Sequence, residues 1–176
     1  GASVLVGTFG SRLFYSRDAG ETWERILQAN AELGSNPTGA LITDHPDENR
    51  SILAISSDTS RVYRSTNLSS DTIDDWEMVL DTPASGYFTL RYGWSMHGPI
   101  IMLSTYGDKN AANPPRHLYL SRDYGGTWEE IEVMAIGDMA DPANFHLHDV
   151  EYDPYSSRIW VAVGDQANSN VLYSDD

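Results

Sequence analysis

The sequence predicts an all-β fold, a β-propeller of four-stranded antiparallel blades, on three observations: a turn-like octad that recurs, short strand-like runs at even spacing, and no helical stripe of useful length. The octad Ser16-Arg17-Asp18-Ala19-Gly20-Glu21-Thr22-Trp23 returns as Ser121-Arg122-Asp123-Tyr124-Gly125-Gly126-Thr127-Trp128, identical at Ser, Arg, Asp, Gly, Thr and Trp. A degenerate copy holds Ser65, Thr66 and Asn67, a polar insertion, then Asp75 and Trp76. A further copy starts at Ser174, Asp175 and Asp176. Serines at 16, 65, 121 and 174 set a repeat of roughly fifty residues, the length of one four-stranded blade.

Each element follows from alternating or β-branched runs bounded by turn formers. A strand precedes each octad, at 13–15, 62–64, 118–120 and 171–173, and another follows at 23–27, 76–80 and 128–133. Two further sets complete the units: 41–43, 88–92 and 148–152, and 4–6, 52–55, 100–103 and 159–163. Lettered A to D from the propeller axis outward, with the octad joining C to D, the chain carries strands B to D of a first blade (1–29), whole blades at 38–81 and 87–134, and strands A to C of a fourth (146–176). That is about three and a half blades. Closed rings hold about four to eight, so the expectation is an arc of a longer polypeptide. Two copies placed head to tail would duplicate strands B and C at each junction.

The octad's residues suit a strand-to-strand turn. Asp18 and Asp123 accept hydrogen bonds from turn N–H groups, Gly20 and Gly125 permit positive φ, and the Ser and Thr hydroxyls tie the ends. Trp23, Trp76 and Trp128 are expected to wedge into the core beside or between blades. These octads resemble the Asp-box or BNR repeat, Ser-x-Asp-x-Gly-x-x-Trp, of sialidases, xyloglucan-degrading glycosidases, sortilin-type receptors, photosystem assembly factors and many phage and secreted bacterial proteins. The resemblance spans essentially the whole chain and implies fold rather than function. Its structural positions here are Ser16, Asp18, Gly20 and Trp23; Ser65, Asn67 and Trp76; Ser121, Asp123, Gly125 and Trp128; and Ser174 with Asp176. The second unit departs from the pattern, with Asn67 for Asp, no Gly and a displaced Trp76, and predicts a longer turn.

Charge narrows the function classes. Among 176 residues, 26 acidic against 11 basic side chains leave a formal −15. Phosphate recognition needs a basic footprint, so neither a nucleic-acid partner nor adhesion to anionic lipid is expected. No apolar run approaches the roughly 18 residues of a membrane-spanning helix. The absence of cysteine excludes disulfides, thiolate metal sites and a cysteine nucleophile.

Candidate site residues come from the face opposite the octads, where B–C loops (8–12, 57–61, 106–117, 165–170) and D–A loops (29–38, 81–87, 135–146) surround the channel mouth. The two longest, 106–117 and 135–146, draw attention because long loops on a rigid scaffold carry function. The first holds Tyr106, Asp108, the single lysine Lys109 and Arg116, a mixture of aromatic and polar groups suited to a carbohydrate, or a solvated loop braced by Pro114 and Pro115. The second leads into Phe145-His146-Leu147-His148-Asp149, where strand alternation puts His146 and His148 on one side. His-x-His can ligate a metal, but no third ligand follows by spacing, so a ligand- or blade-contacting pair is expected, with no metal and no cofactor. Asn67-Leu68-Ser69 has the form of a glycosylation sequon and is read as turn residues.

Two functional classes remain. The resemblance to sialidases implies an arginine triad, a tyrosine nucleophile and an acid–base Asp. Arg91 and nearby tyrosines are present, but the Phe/Tyr-Arg-Ile-Pro element of that family is absent. A xyloglucanase-like hydrolase needs two opposed carboxylates, for which Asp149 and Asp165 are the candidates, with Asp108 a further conceivable member. The favoured expectation is a non-catalytic propeller that binds a glycan or cell-surface ligand or builds an assembly, in a secreted protein or a virion. Arg91, Tyr106, Lys109, Arg116, His146 and His148 are its candidate contacts.

Overall fold

The computed structural model describes residues 4–9, 12–26, 39–43, 51–56, 61–66, 76–82, 93–106, 116–133, 146–164 and 169–174. They form an all-β partial propeller of fourteen strands in four antiparallel sheets. Sheet 1 holds β1 (Leu5–Phe9), β2 (Arg12–Ser16) and β3 (Glu24–Arg25). Sheet 2 holds β4 (Gly39–Thr43), β5 (Ser51–Ser56), β6 (Arg61–Ser65) and β7 (Glu77–Asp81). Sheet 3 holds β8 (Trp94–His97), β9 (Ile100–Ser104), β10 (His117–Ser121) and β11 (Glu129–Glu132). Sheet 4 holds β12 (Leu147–Asp153), β13 (Arg158–Val163) and β14 (Asn170–Tyr173). In every sheet, sequential strands are hydrogen-bonded neighbours. Among the described residues there is no helix long and apolar enough to cross a membrane.

The core lies between sheets. Strand alternation sends Ile52 and Ala54 of β5 toward Leu13, Tyr15 and Ile26 of sheet 1. Leu53 and Ile55 point the other way, toward Ile101, Leu103 and Tyr119 of sheet 3. A third layer joins Met102, Leu118 and Leu120 to Leu147, Val150, Val161 and Val163 of sheet 4. A strand covered on both faces reads as a continuous apolar run, and every residue of β5 is buried. The polar groups at its end are satisfied internally: the Thr43 and Ser51 hydroxyls lie 2.7 Å apart, and the Ser51 N–H donates to Thr43 Oγ1.

One strand departs from the expected position. The inner strand of sheet 3 is β8, paired from Trp94↔Leu103 to His97↔Ile100; the expected run at 88–92 falls outside the described residues. Gly98, at φ +56°, followed by Pro99, supplies the two-residue turn that fixes this register. Strand edges also shift. β1 continues to Phe9 and β2 starts at Arg12, which shortens the expected 8–12 loop, and His117 and Asn170 lie within strands.

The first and third octads fold alike. Ser16 Oγ donates to Asp18 Oδ1 (2.7 Å) and accepts from Gly20 N–H (2.8 Å), while Thr22 donates through N–H and hydroxyl to the Asp18 carboxylate (2.9 and 2.5 Å). Ser121, Asp123, Gly125 and Thr127 repeat these bonds at 2.8 Å each. The hydrogen bonds from Thr22 and Ser16 hold the Asp18 carboxyl down at about 2. At Asp123, partial burial pulls upward, but the bonds from Thr127 and Ser121 outweigh it and the carboxyl is again depressed.

The tryptophans are not equivalent. Trp76 packs into the layer between sheets 1 and 2, and Trp128 into the layer between sheets 2 and 3, so each leans on the preceding sheet. Trp23, expected in the core, is instead 47% exposed. Among the described residues no sheet stands against its side of sheet 1. Asn67 and Asp176 lie outside the described residues. Ser65 is buried at the end of β6, and Ser174 donates its N–H to the Ile159 carbonyl.

Candidate functional site

The best-defined constellation sits on the face opposite the octad turns, where β9 ends and β10 and β12 begin. Thr105 clamps this point: its N–H and hydroxyl both reach the His117 carbonyl at 3.1 Å, and its Oγ1 accepts the His117 N–H. Tyr106 follows directly, half-buried, with the rest of its loop (107–115) outside the described residues. On the neighbouring sheet, Gly164 N–H donates to the His146 carbonyl at 2.9 Å and anchors the start of β12.

These two anchors bring Tyr106, His146 and His148 together. The Tyr106 and His146 rings lie 4.2 Å apart, His146 and His148 4.5 Å, and Tyr106 and His148 5.8 Å in an edge-on arrangement. His146 is buried and His148 half-buried. A bulge between Leu147 and Asp149 places His148 at an extra position in β12, re-aiming the side chain as bulges near sites do. His148 also lines a hollow of about 410 Å³ together with Ala162, Val163, Gly164, Ser169, Asn170 and Val171. Of the three rings, His148 is the one that lines this concave surface.

Arg116 lies at the same end, at the start of β10, and is buried. Burial pulls its guanidinium below the usual arginine range, with the Glu132 carboxylate opposing the shift. Its carbonyl accepts from Val133 N–H, so the residue also ties β10 to β11. Deeper along β10, Tyr119 shares Glu130 with His117, and burial, then the Glu130 charge, raises its phenol. At the rim of sheet 2, Arg61 and Asp81 form an exposed ion pair at 3.0 Å.

Asp149 does not join the cluster as an opposed carboxylate. Strand alternation puts it with Ala162 on the outer face of sheet 4, where it keeps an exposed edge and accepts the Val150 N–H at 2.9 Å. Crowding by the surrounding protein raises its carboxyl above the ordinary aspartate value, and the Val150 bond partly offsets this. Arg91, Lys109 and Asp165 lie outside the described residues, so no carboxylate pair across the mouth is defined. Among the described residues no group of three or more His, Cys, Asp or Glu converges to hold a metal ion. The cluster offers aromatic faces together with ring nitrogen and hydroxyl hydrogen-bonding groups.

A second concave surface has no counterpart among the sequence candidates. Gly7, Thr8, Phe9, Phe14 and Trp23 line a hollow of about 380 Å³ on the outer face of sheet 1. Phe9 is 81% exposed there. The signal that points to it is the direction of octad packing: if each tryptophan leans on the preceding sheet, the first has none to lean on within the described arc.

Comparisons with known proteins agree on architecture. A solved structure described as YCF48 bound to D1 peptide, a β-propeller, superposes with a TM-score of 0.57 at 15% identity, over 93% of this chain and 44% of that one. The chain thus spans under half the length of that neighbour, and the likeness is one of fold. No family model matches the sequence, and no curated protein matches it.

Proposed function

We propose that this chain is part of a non-catalytic binding propeller of the Asp-box type, and that Tyr106, His146 and His148 form the contact for a carbohydrate or similar cell-surface ligand. The observation that carries the reading is the three-ring cluster, whose His148 lines a neighbouring hollow. Sugars present apolar ring faces and hydroxyls together, and aromatic and imidazole groups answer both. The two well-formed octad turns support the Asp-box assignment. The acidic, cysteine-free composition is in keeping with a secreted or virion-surface assembly.

A second reading is a peptide ligand, favoured by the neighbour whose description names a bound peptide. A glycan array read beside a peptide library separates the two. The expected result is glycan binding that weakens by roughly tenfold in Tyr106→Ala, the scale of losing one aromatic contact, with no turnover on a panel of glycosides. Turnover abolished by Asp149→Asn or Asp165→Asn would replace this reading with a hydrolase.

A further inference from the structure

Behind the Tyr106 ring stands a histidine that no sequence motif marks. His117 opens β10, and its backbone is bonded to Thr105 in both directions. The His117 N–H donates to Thr105 Oγ1 at 3.3 Å, and the His117 carbonyl accepts from both the N–H and the hydroxyl of Thr105 at 3.1 Å. Tyr106 is the next residue along the chain, and its ring lies 4.2 Å from that of His146. A shift of His117 therefore reaches Tyr106 through one peptide unit.

Alternation decides what the His117 side chain meets. Leu118 and Leu120 of β10 face sheet 4, so His117 and Tyr119 face sheet 2. Register sets Glu132 opposite His117 and Glu130 opposite Tyr119, on that same side. Glu130 Oε1 contacts His117 Nδ1 and accepts the Tyr119 hydroxyl at 3.4 Å. The His117 and Tyr119 rings meet edge-on at 6.3 Å. Among the described residues, the other elements at this end of the layer bring no charge. β9 contributes Thr105, and β6 and β7 contribute Val62 and Leu80, which leaves Arg61 and Asp81 on the far side of sheet 2. Arg64 and Glu77 share the face of Val62 but lie at the octad end, where Arg64 approaches Gly126. Arg116, in step with Leu118, is turned toward sheet 4.

A neutral imidazole offers Glu130 an ordinary N–H hydrogen bond. With its second proton the contact becomes an ion pair, and charge-assisted bonds are shorter and about twice as strong. Glu132 adds negative charge opposite the same ring. Acid therefore draws His117 onto β11 and steadies the backbone that Thr105 clamps, and the added hold is lost as pH rises.

We infer that His117 is a positioning residue: through Thr105 it holds Tyr106 in its ligand-binding place, and more firmly as pH falls from about 8 to about 5.5. This rests on the reading of Tyr106 as a ligand contact. His146 and His148 are titratable groups beside the same ring, so the decisive quantity is the share of the pH response that depends on His117 and Glu130.

The test uses the 176-residue chain with isotope-labelled tyrosine rings, the Tyr106 signal being the one missing from Tyr106→Phe. Its pH course is compared in wild type, His117→Gln and Glu130→Gln. A smaller excursion is expected in both variants, with the double variant no different from either single one, as two members of one contact require. Glu130 is exposed, and an unchanged melting curve near neutral pH confirms that each variant folds. The glycan that wild type retains most tightly on the array supplies a second readout. Wild type and His117→Gln should bind it equally near pH 8 and differ by roughly fivefold near pH 5.5, the scale of one charge-assisted bond, and the difference should vanish in a Tyr106→Ala background. A Tyr106 signal with the same pH course in all three proteins overturns the inference, and leaves the ligand reading standing where Tyr106→Ala still loses glycan binding. A blank array at both pH values overturns the ligand reading and this inference with it.

Discussion

The first and third octads have the same hydrogen bonds and different surroundings. In both, a Ser hydroxyl and an Asp carboxylate organise the turn, and a non-glycine residue, Ala19 or Tyr124, adopts φ near +60°. Beyond the turn they part. A methyl group on Gly125 would meet Leu53 of the preceding sheet at 2.7 Å, whereas one on Gly20 would meet Leu5 of its own sheet at 3.4 Å. Trp128 lies in an inter-sheet layer with its indole N–H buried and unbonded among the described residues, while Trp23 is half exposed and donates to the Gly20 carbonyl at 3.1 Å. The difference teaches that hydrogen bonds within eight residues make the turn, and the neighbouring sheet decides how much the turn contributes to stability.

The sharpest way to break this comparison is at the glycines. Gly125→Ala combines positive φ with a clash against a fully buried leucine and is expected to cost about 3 kcal/mol. Gly20→Ala carries mainly the backbone strain, about 1 kcal/mol. Urea denaturation of the two variants checks the ratio, and equal losses would show that packing against Leu53 is unimportant.

The tryptophans give a smaller contrast. Trp128→Ala empties part of a packed layer and should cost about 2 kcal/mol. In dilute solution Trp23→Ala should cost well under that, since half of the side chain already faces solvent. Thermal melts at low concentration measure both.

The smallest effect is electrostatic. Asp18 titrates lower in the fold than in the unfolded chain, so its contribution is complete above the unfolded value, near 3.8, and is lost as pH falls through about 2. Wild type should therefore melt above Asp18→Asn at neutral pH, with the gap closing as pH falls below 4 and gone under about 2. A gap that persists at pH 2 would mean that the carboxylate charge does not hold this turn. Asp123 is depressed as well and should behave in the same direction.

The repeated octad, the strand alternation and the four-unit organisation could be read from residues close in the chain, because turn hydrogen bonds and strand periodicity are local. Asp18 needs only Ser16, Gly20 and Thr22. The inner strand of sheet 3 could not be placed in the same way: the expected run is 88–92, which lies outside the described residues, and the strand that pairs with β9 through the Gly98-Pro99 turn is Trp94–His97. The site divides likewise. His146 and His148 could be put on one side of a strand, but the bulge at His148 comes from the pairing of β12 with β13, and Tyr106 approaches from another sheet, 40 residues before His146 in sequence. Local pattern specifies which side chains face outward from a strand; whether a second sheet covers them is a property of the packed assembly. For that reason Trp23 and Trp128, at the same position of matching octads, end up in two different environments.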